Sequence, residues 1–521
     1  MNGNRTEGTA REEDAWEVSG EVEEAEVALG IGGRCLGFLS PFLRRLDAHL
    51  DRRLVRTLAN TVVAVIGNRN RPCGLMLSEL GAFLAGPRHT PAGTKRLGNL
   101  IHSDNWHYEE INEYLLDEGR ARVEREAQAV PEGRALCILD GSVLEKPESI
   151  KAEGLSPMVS SKARRLSRPR PKLGKGYYRG KPVGPIVVPG FSWVGALVTG
   201  WVSPLEHSPL TLGAWHWYAK PRPAPESDSV GQTRAADGPE QTDPAGGDAE
   251  SDVVRQKAQE AAREVLNRVV GAWGADRLLH VWDRGFSGAA WLGEALDKQW
   301  RFVVRWKKGN KLRPAQAQSV GNPQASAYRR GQDGVKAWTL TAGLRAWGEE
   351  TIANPRNPKQ PIRVSFAARE VHLLTRDDPL WLVVVRLGKS ASRRRGGNEP
   401  WRLLTNLPVT DREQCWRIVQ AYAARWQIEQ MLRFGKCELG IESIRVRSWQ
   451  ARHKLLAIAA LAYSFLIQFL GDGCSALIDA VLRFAHRTGR QSHSAWRHLY
   501  LFRAALSYLW QRHTPYLQGA P

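Results

Sequence analysis

The chain has 521 residues, 42% of them hydrophobic, and a formal net charge of +20. That size and apolar content fit a globular protein of two to four structural units and argue against a wholly disordered chain, while the excess of Lys and Arg points to a polyanionic partner, nucleic acid first and a membrane surface second. The six cysteines form no Cys-x-x-Cys pair, which excludes a zinc ribbon or a dithiol redox motif and leaves free thiols in a reducing cytoplasm as the simple reading.

Residues 1–34 carry acidic runs such as Glu12-Glu13-Asp14 and Glu23-Glu24 and read as a disordered acidic N-terminus with no signal-peptide core. Helical periodicity follows over Leu54 to Ile66, Met76 to Leu84 and Tyr108 to Gln128. Between these, Lys95 and Arg96 sit beside an apolar helical pattern, with Trp106 beyond. Residues 35–130 thus read as a helical DNA-binding domain, a plain helical bundle being the other reading.

The run Leu136-Cys137-Ile138-Leu139 ends at Asp140 and is expected to be a buried strand presenting an aspartate at its C-terminal end. A basic, proline-containing arm spans 162–181, where the pair Tyr177-Tyr178 favours a loop in contact with a nucleic-acid backbone over a solvated linker. Strands are expected at Pro185 to Val188 and Val194 to Val202. Residues 221–252, rich in Pro, Gly, Asp, Glu and Ser, read as a disordered acidic insertion, and Val253 to Val270 as an amphipathic helix.

Leu278 to Trp282 is a second apolar run, and it ends at Asp283-Arg284-Gly285-Phe286. Phe302 to Trp306 follows as a strand. Further strand signals at Val364 to Phe366, Val371 to Leu374, Trp381 to Leu387 and Trp401 to Thr405 make 301–408 β-rich. Thr410-Asp411-Arg412-Glu413 reads as a capping box opening a helix that runs to about Cys437. Tyr422, Arg425, Glu429 and Lys436 on that helix fall within roughly 60° of one another at about 100° per residue, so they share one face. A phenol, a guanidinium, a carboxylate and an ammonium on one face suit a phosphodiester beside a metal ion; a solvated face with Arg425–Glu429 pairing is the plainer reading. Leu455 to Leu470 is apolar but shorter than the roughly 20 residues of a membrane span, and is expected to be a buried helix.

Asp140 and Asp283 would lie where strand ends open into a crevice, the usual ligand position in an α/β sheet. Converging carboxylates repel unless cations lie between them, and hard oxygen ligands favour Mg²⁺ or Mn²⁺. Two such ions are suited to in-line phosphoryl displacement.

On these residues the chain resembles the DDE transposases of bacterial insertion sequences, in the subgroup with a Tyr-x2-Arg-x3-Glu-x6-Lys signature. Tyr422, Arg425, Glu429 and Lys436 match all four signature positions, Asp283-Arg284-Gly285 is similar to the second aspartate motif, and Asp140-Gly141-Ser142 with Lys146 to the first. The resemblance implies an α/β fold, an RNase H-like (retroviral-integrase-like) catalytic core with a β-rich insertion and an N-terminal helical domain. Its core would comprise 131–300 and 409–470, the insertion 301–408, and a C-terminal helical region 471–521. It further implies that Asp140, Asp283 and Glu429 ligate two catalytic Mg²⁺ or Mn²⁺ ions, and that Tyr422, Arg425 and Lys436 hold DNA phosphates. The implied activity is metal-dependent cleavage at transposon ends and strand transfer into target DNA. The implied partners are double-stranded DNA, as terminal inverted repeats and target, and a second copy in a synaptic homodimer, in the cytoplasm and without a membrane. A base-stacking aromatic is not assigned, with Trp306 and Trp282 as candidates. The alternatives are a non-catalytic DNA-binding relic and a metal-dependent nuclease that does not join strands.

Overall fold

A computed structural model of the chain describes residues 7–70, 72–129, 134–149, 151–160, 186–201, 216–218, 246–315, 334–352, 361–388, 399–471, 475–485 and 495–515. The basic arm 162–181 and all but the last residues of the acidic insertion 221–252 lie outside the described residues.

The N-terminal quarter is helical: α1 (Glu7–Asp47), α2 (Arg52–Gly67), α3 (Leu77–Ala85), α4 (Thr90–His102) and α5 (Tyr108–Ala129). Instead of a disordered segment over residues 1–34, a single helix starts at Glu7. Ala28, Ile31, Cys35, Leu39, Phe42 and Leu46 recur at helical spacing and are all buried, so α1 has an apolar stripe to pack. Asp51 caps α2 by accepting the Arg53 N–H at 2.7 Å.

Helices α3 and α4 approach backbone to backbone. A Cβ on Gly93 would lie 2.2 Å from the Gly81 carbonyl oxygen, and one on Gly81 would lie 2.5 Å from the Thr94 nitrogen. Gly93→Ala must therefore push the helices apart and should cost about 1–3 kcal/mol in urea denaturation. Gly98→Ala, on the same helix with open space around it, should stabilise by roughly 0.5–1 kcal/mol through helix propensity. Equal effects at the two sites would refute the close-approach reading.

Among the described residues a 12-stranded sheet follows. Its strands are β1 (Ala135–Glu145), β2 (Ser156–Val159), β3 (Val187–Thr199), β4 (His216–Tyr218), β5 (Leu278–Trp282), β6 (Arg301–Arg305), β7 (Lys311–Pro314), β8 (Val335–Lys336), β9 (Gly348–Ile352), β10 (Ile362–His372), β11 (Leu380–Leu387) and β12 (Trp401–Thr405). The order is β2-β3-β1-β5-β6-β12-β11-β10-β7-β8, with β4 on β3 and β9 on β10. Strands β1, β5 and β6 are parallel at its centre, and antiparallel strands flank them on both sides. The buried, near-continuous apolar runs of β1 and β5 are what a parallel strand covered on both faces requires. The β-rich stretch extends this one sheet beyond β6.

Two pairs of expected short strands are single long ones. Pro185 to Val188 and Val194 to Val202 merge into β3, and Val364 to Phe366 and Val371 to Leu374 into β10. Small residues fill the gaps: Gly190 packs against the Leu144 carbonyl without breaking the ladder, and Ala367 and Ala368 stay paired to β11.

The remaining helices are α6 (Gly246–Trp273), α7 (Ala289–Asp297), α8 (Ala337–Thr341), α9 (Arg412–Ala424), α10 (Trp426–Cys437), α11 (Trp449–Gly471), α12 (Ser475–Arg483) and α13 (Ala495–Arg512). The expected capping box is shifted by one residue. Asp411, not Thr410, caps α9 by accepting the Gln414 N–H at 2.8 Å, and the Gln414 side chain accepts from the Thr410 N–H at 2.8 Å. The apolar helix at 455–470 is longer than its apolar core suggests. At 23 residues α11 is long and apolar enough to cross a membrane by length and composition, as is Val22–Asp47 within α1. Most of α11 is buried within the protein.

Candidate functional site

The parallel register at the sheet centre aligns three charged residues. Leu139 pairs with Trp282 and Trp282 with Val304. One residue further along each strand lie Asp140, Asp283 and Arg305, side by side where the β1–β5 and β5–β6 ladders stop. Asp140 does not end its strand as expected. It sits in mid-strand, because β1 continues to Glu145 on its antiparallel partner β3. Asp283 opens a short 3₁₀ turn, its carbonyl accepting the Phe286 N–H at 3.0 Å.

Glu429 arrives from the other direction. The helix expected to run unbroken to Cys437 is two helices, α9 and α10, joined at Arg425. The Arg425 N–H bonds back to the Tyr422 carbonyl at 3.1 Å and the Ile428 N–H to the Arg425 carbonyl at 3.3 Å. These are i→i+3 bonds, a tightened 3₁₀-like step rather than a stop. Thr199 on β3 donates to the Gln427 side chain at 3.1 Å and so ties α10 to the sheet. Tyr422, Arg425 and Glu429 remain in contact across this step.

Arg425 is the hub. One guanidinium nitrogen lies 3.2 Å from an Asp140 oxygen, and another is bonded to Glu429. Its fork also lies over the Tyr422 ring, 5.8 Å from the centroid. Burial works to lower the Arg425 pKa, but Tyr422, Asp140, Glu429 and Asp283 together hold it above its ordinary value. Burial pushes the Asp140 carboxyl up to about 6; Arg425 and the Gly141 N–H, 2.8 Å away, oppose the rise, and Asp283 and Glu429 add to it. Asp140 thus feels the charge of both Asp283 and Glu429, and Arg425 stands between Asp140 and Glu429. Among the described residues no three His, Cys, Asp or Glu side chains converge closely enough to hold a metal ion.

The other signature residues are less open than the shared face suggests. Tyr422 is buried edge-on against Trp401, with ring centroids 5.3 Å apart, and burial chiefly raises its pKa. The Lys436 ammonium donates to the Val143 carbonyl of β1 at 2.5 Å. Lys146 is buried away from this cluster and donates to the Ile444 carbonyl at 2.6 Å and to the Glu442 carbonyl. Trp282 and Trp306 are both buried, Trp282 stacked on Phe302.

Sequence reasoning named Arg284 only as part of the Asp283 motif and gave no role to Arg305 or Arg402. With Trp306, Lys307, Lys308, Gly309, Glu399 and Pro400 they line a cavity of about 170 Å³ next to Asp283. Arg305 follows the apolar run Phe302-Val303-Val304, a position that does not by itself mark it out.

The carboxylate oxygens of Asp140, Asp283 and Glu429 are hard donors suited to Mg²⁺ or Mn²⁺. Arg425 bonds Asp140 and Glu429, and Arg305 lies level with Asp283, so the donors suit a divalent ion in kind while the three carboxylates as they stand do not converge on one point.

A family model described as the transposase DDE domain matches residues 242–465. The matched stretch contains Asp283, Tyr422, Arg425, Glu429 and Lys436 and excludes Asp140. The match supports a DDE transposase. No curated protein matches the chain.

Proposed function

We propose that this chain is a DDE transposase of the Tyr-x2-Arg-x3-Glu-x6-Lys subgroup, cutting DNA at transposon ends and joining it to a target. The central observation is that Arg425 bonds both Asp140, on a central strand, and Glu429, on a helix, with Asp283 just past the end of the adjacent parallel strand. The mixed sheet with parallel β1, β5 and β6 is compatible with an RNase H-like core, and the strands after β6 with its β-rich insertion.

Asp140, Asp283 and Glu429 would hold two divalent ions. Bound there, the ions would supply Lewis-acid stabilisation of the attacking and leaving oxygens of a phosphodiester. Arg425 would then be left to neutralise the phosphate, and Lys436 would reach a flanking phosphate by giving up the Val143 carbonyl, whereas Tyr422, buried against Trp401, would position Arg425. Arg305, Arg284 and Arg402 line the neighbouring cavity with the same charge. The helical region is read as the DNA-binding domain, since α4 exposes Lys95, Arg96 and Asn99 on one side. Two copies would pair two ends.

The purified chain with Mg²⁺ or Mn²⁺ should nick DNA carrying the element's terminal inverted repeats and join it to a target plasmid. Binding without nicking would overturn the catalytic reading. Nicking without joining would favour a nuclease.

A further inference from the structure

Side-chain bonds of two kinds tie α10 and the linker before it to the sheet. Arg425 donates to Asp140 at 3.2 Å, and Lys436 to the Val143 carbonyl at 2.5 Å. Both of these residues have a second task in the functional reading. A phosphate would claim the guanidinium and the ammonium, and ions would claim the Asp140 carboxylate, so both ties are given up when DNA and metal bind. The bond from the Thr199 hydroxyl to the Gln427 side chain, 3.1 Å long, is of the other kind. Thr199 is fully buried and Gln427 nearly so, and neither is open to DNA. The Gly200 carbonyl, 3.3 Å from the same hydroxyl, is its more distant acceptor.

The place of this bond gives it leverage over Glu429. Thr199 pairs with Leu136 on β1, the strand that carries Asp140 one turn of sequence further on. Gln427 stands in the first turn of α10, just before Glu429, and this helix begins at Arg425 without a side-chain cap. At about 100° per residue, Gln427 and Glu429 project to opposite sides of α10. Fixing Gln427 against β3 therefore sets the rotation of the helix about its own axis. A side chain roughly 6 Å from that axis moves by about 1 Å for every 10° of rotation. A misplacement of about 1 Å at a reacting centre costs up to about 10²-fold in rate.

We infer that Gln427 and Thr199 are positioning residues, whose bond holds α10 at the rotation that presents Glu429 to Asp140 once Arg425 and Lys436 have turned to the DNA. This rests on the DNA-processing reading above and names the contact that keeps its helix in place while substrate is bound.

The test compares Thr199→Ser, Thr199→Val, Gln427→Leu and the double variant Thr199→Val with Gln427→Leu, all in the full chain. Each is read for its urea midpoint, its affinity for end DNA in EDTA, its cleavage rate with Mn²⁺, and its Mn²⁺ binding on end DNA from the EPR signal of the free ion. Thr199→Val or Gln427→Leu alone leaves a buried polar group unpaired and should lower the midpoint, whereas the double variant removes both partners and should return it toward the parent. Cleavage should not return with it. In the double variant it should stay on the order of 10–10²-fold below the parent, with Mn²⁺ affinity weakened on the order of ten-fold and DNA affinity within about two-fold. Thr199→Ser keeps the hydroxyl and should cleave nearly as the parent does. If cleavage recovers along with the midpoint, or Mn²⁺ binding is unchanged, the bond serves stability alone; the inference is then wrong and the functional reading stands. If the parent chain neither retains Mn²⁺ nor cuts end DNA, both fall.

Discussion

Replacing Glu429 by Gln should abolish strand cleavage while leaving DNA binding nearly unchanged. The two side chains have almost the same shape, and the Gln amide oxygen can still accept the Arg425 hydrogen bond. What is lost is one negative charge among the carboxylates. If that charge holds an ion whose Lewis acidity contributes several kcal/mol to the transition state, the rate falls by at least about 10³-fold. A purely structural Glu429 predicts something different. Its side chain is 41% exposed, and a half-exposed ion pair contributes only ~1 kcal/mol or less. Loss of that pair would shift the denaturation midpoint slightly and leave turnover intact. Cleavage assays on end DNA with Mg²⁺, run beside urea melts and binding titrations, separate the two. Turnover within ten-fold of the parent would sink the catalytic role. Removing an anion from a site that faces phosphate should, if anything, tighten binding, which makes unchanged or improved affinity alongside lost cleavage a distinctive result.

The parts of this site that were legible in the chain were local ones. Apolar runs ending in Asp140 and Asp283 marked two strands, and the offsets of Tyr422, Arg425, Glu429 and Lys436 marked one helical face. What could not be read was register. That Leu139 faces Trp282, and hence that the two aspartates are neighbours, depends on pairing between segments about 140 residues apart. The same register brings Arg305 into line, and no pattern within its own strand distinguishes Arg305 from an ordinary strand-end charge. Arg425 was read as a phosphate contact or as a partner of Glu429. Its second bond, to Asp140, joins helix to sheet and needs the tertiary fold. The helix break at Arg425 was equally hidden, since it contains neither Gly nor Pro. Over residues 1–34, acidic composition suggested disorder because the partners of the apolar stripe lie in distant helices. Contacts such as Trp510 to the Ala28 carbonyl, at 3.2 Å across 482 residues, are invisible to periodicity.

The helix that carries Glu429 also has to be held at its other end, and there a larger stability effect is expected. Glu438, just past α10, has a fully buried side chain. It lies 2.8 Å from the Arg69 guanidinium and 3.4 Å from that of Arg503, which is also fully buried. Arg503 in turn donates to the Val65 carbonyl at 2.9 Å and the Asn68 carbonyl at 3.4 Å at the end of α2. One carboxylate thus joins α10, α13 and the α2 terminus. A fully buried guanidinium, Arg503, and a partly exposed one, Arg69, share it, so its removal strands the Arg503 charge in the interior. Glu438→Ala should cost about 3–5 kcal/mol, the usual penalty for orphaning a buried charge. Burial also predicts that the loss persists at high salt, where a surface pair would already be screened. The double variant Glu438→Met with Arg503→Met should recover much of the loss, since the guanidinium then left without Glu438, Arg69, is partly exposed and can be hydrated. Urea denaturation at low and high ionic strength measures all three. A loss under 1 kcal/mol for Glu438→Ala, or one that vanishes with salt, would mean that the pair is solvated and does not anchor α10. If the anchor is real, Glu438→Gln, which keeps shape and hydrogen bonding but not charge, should lower cleavage more than DNA binding, because the position of Glu429 depends on the helix it terminates.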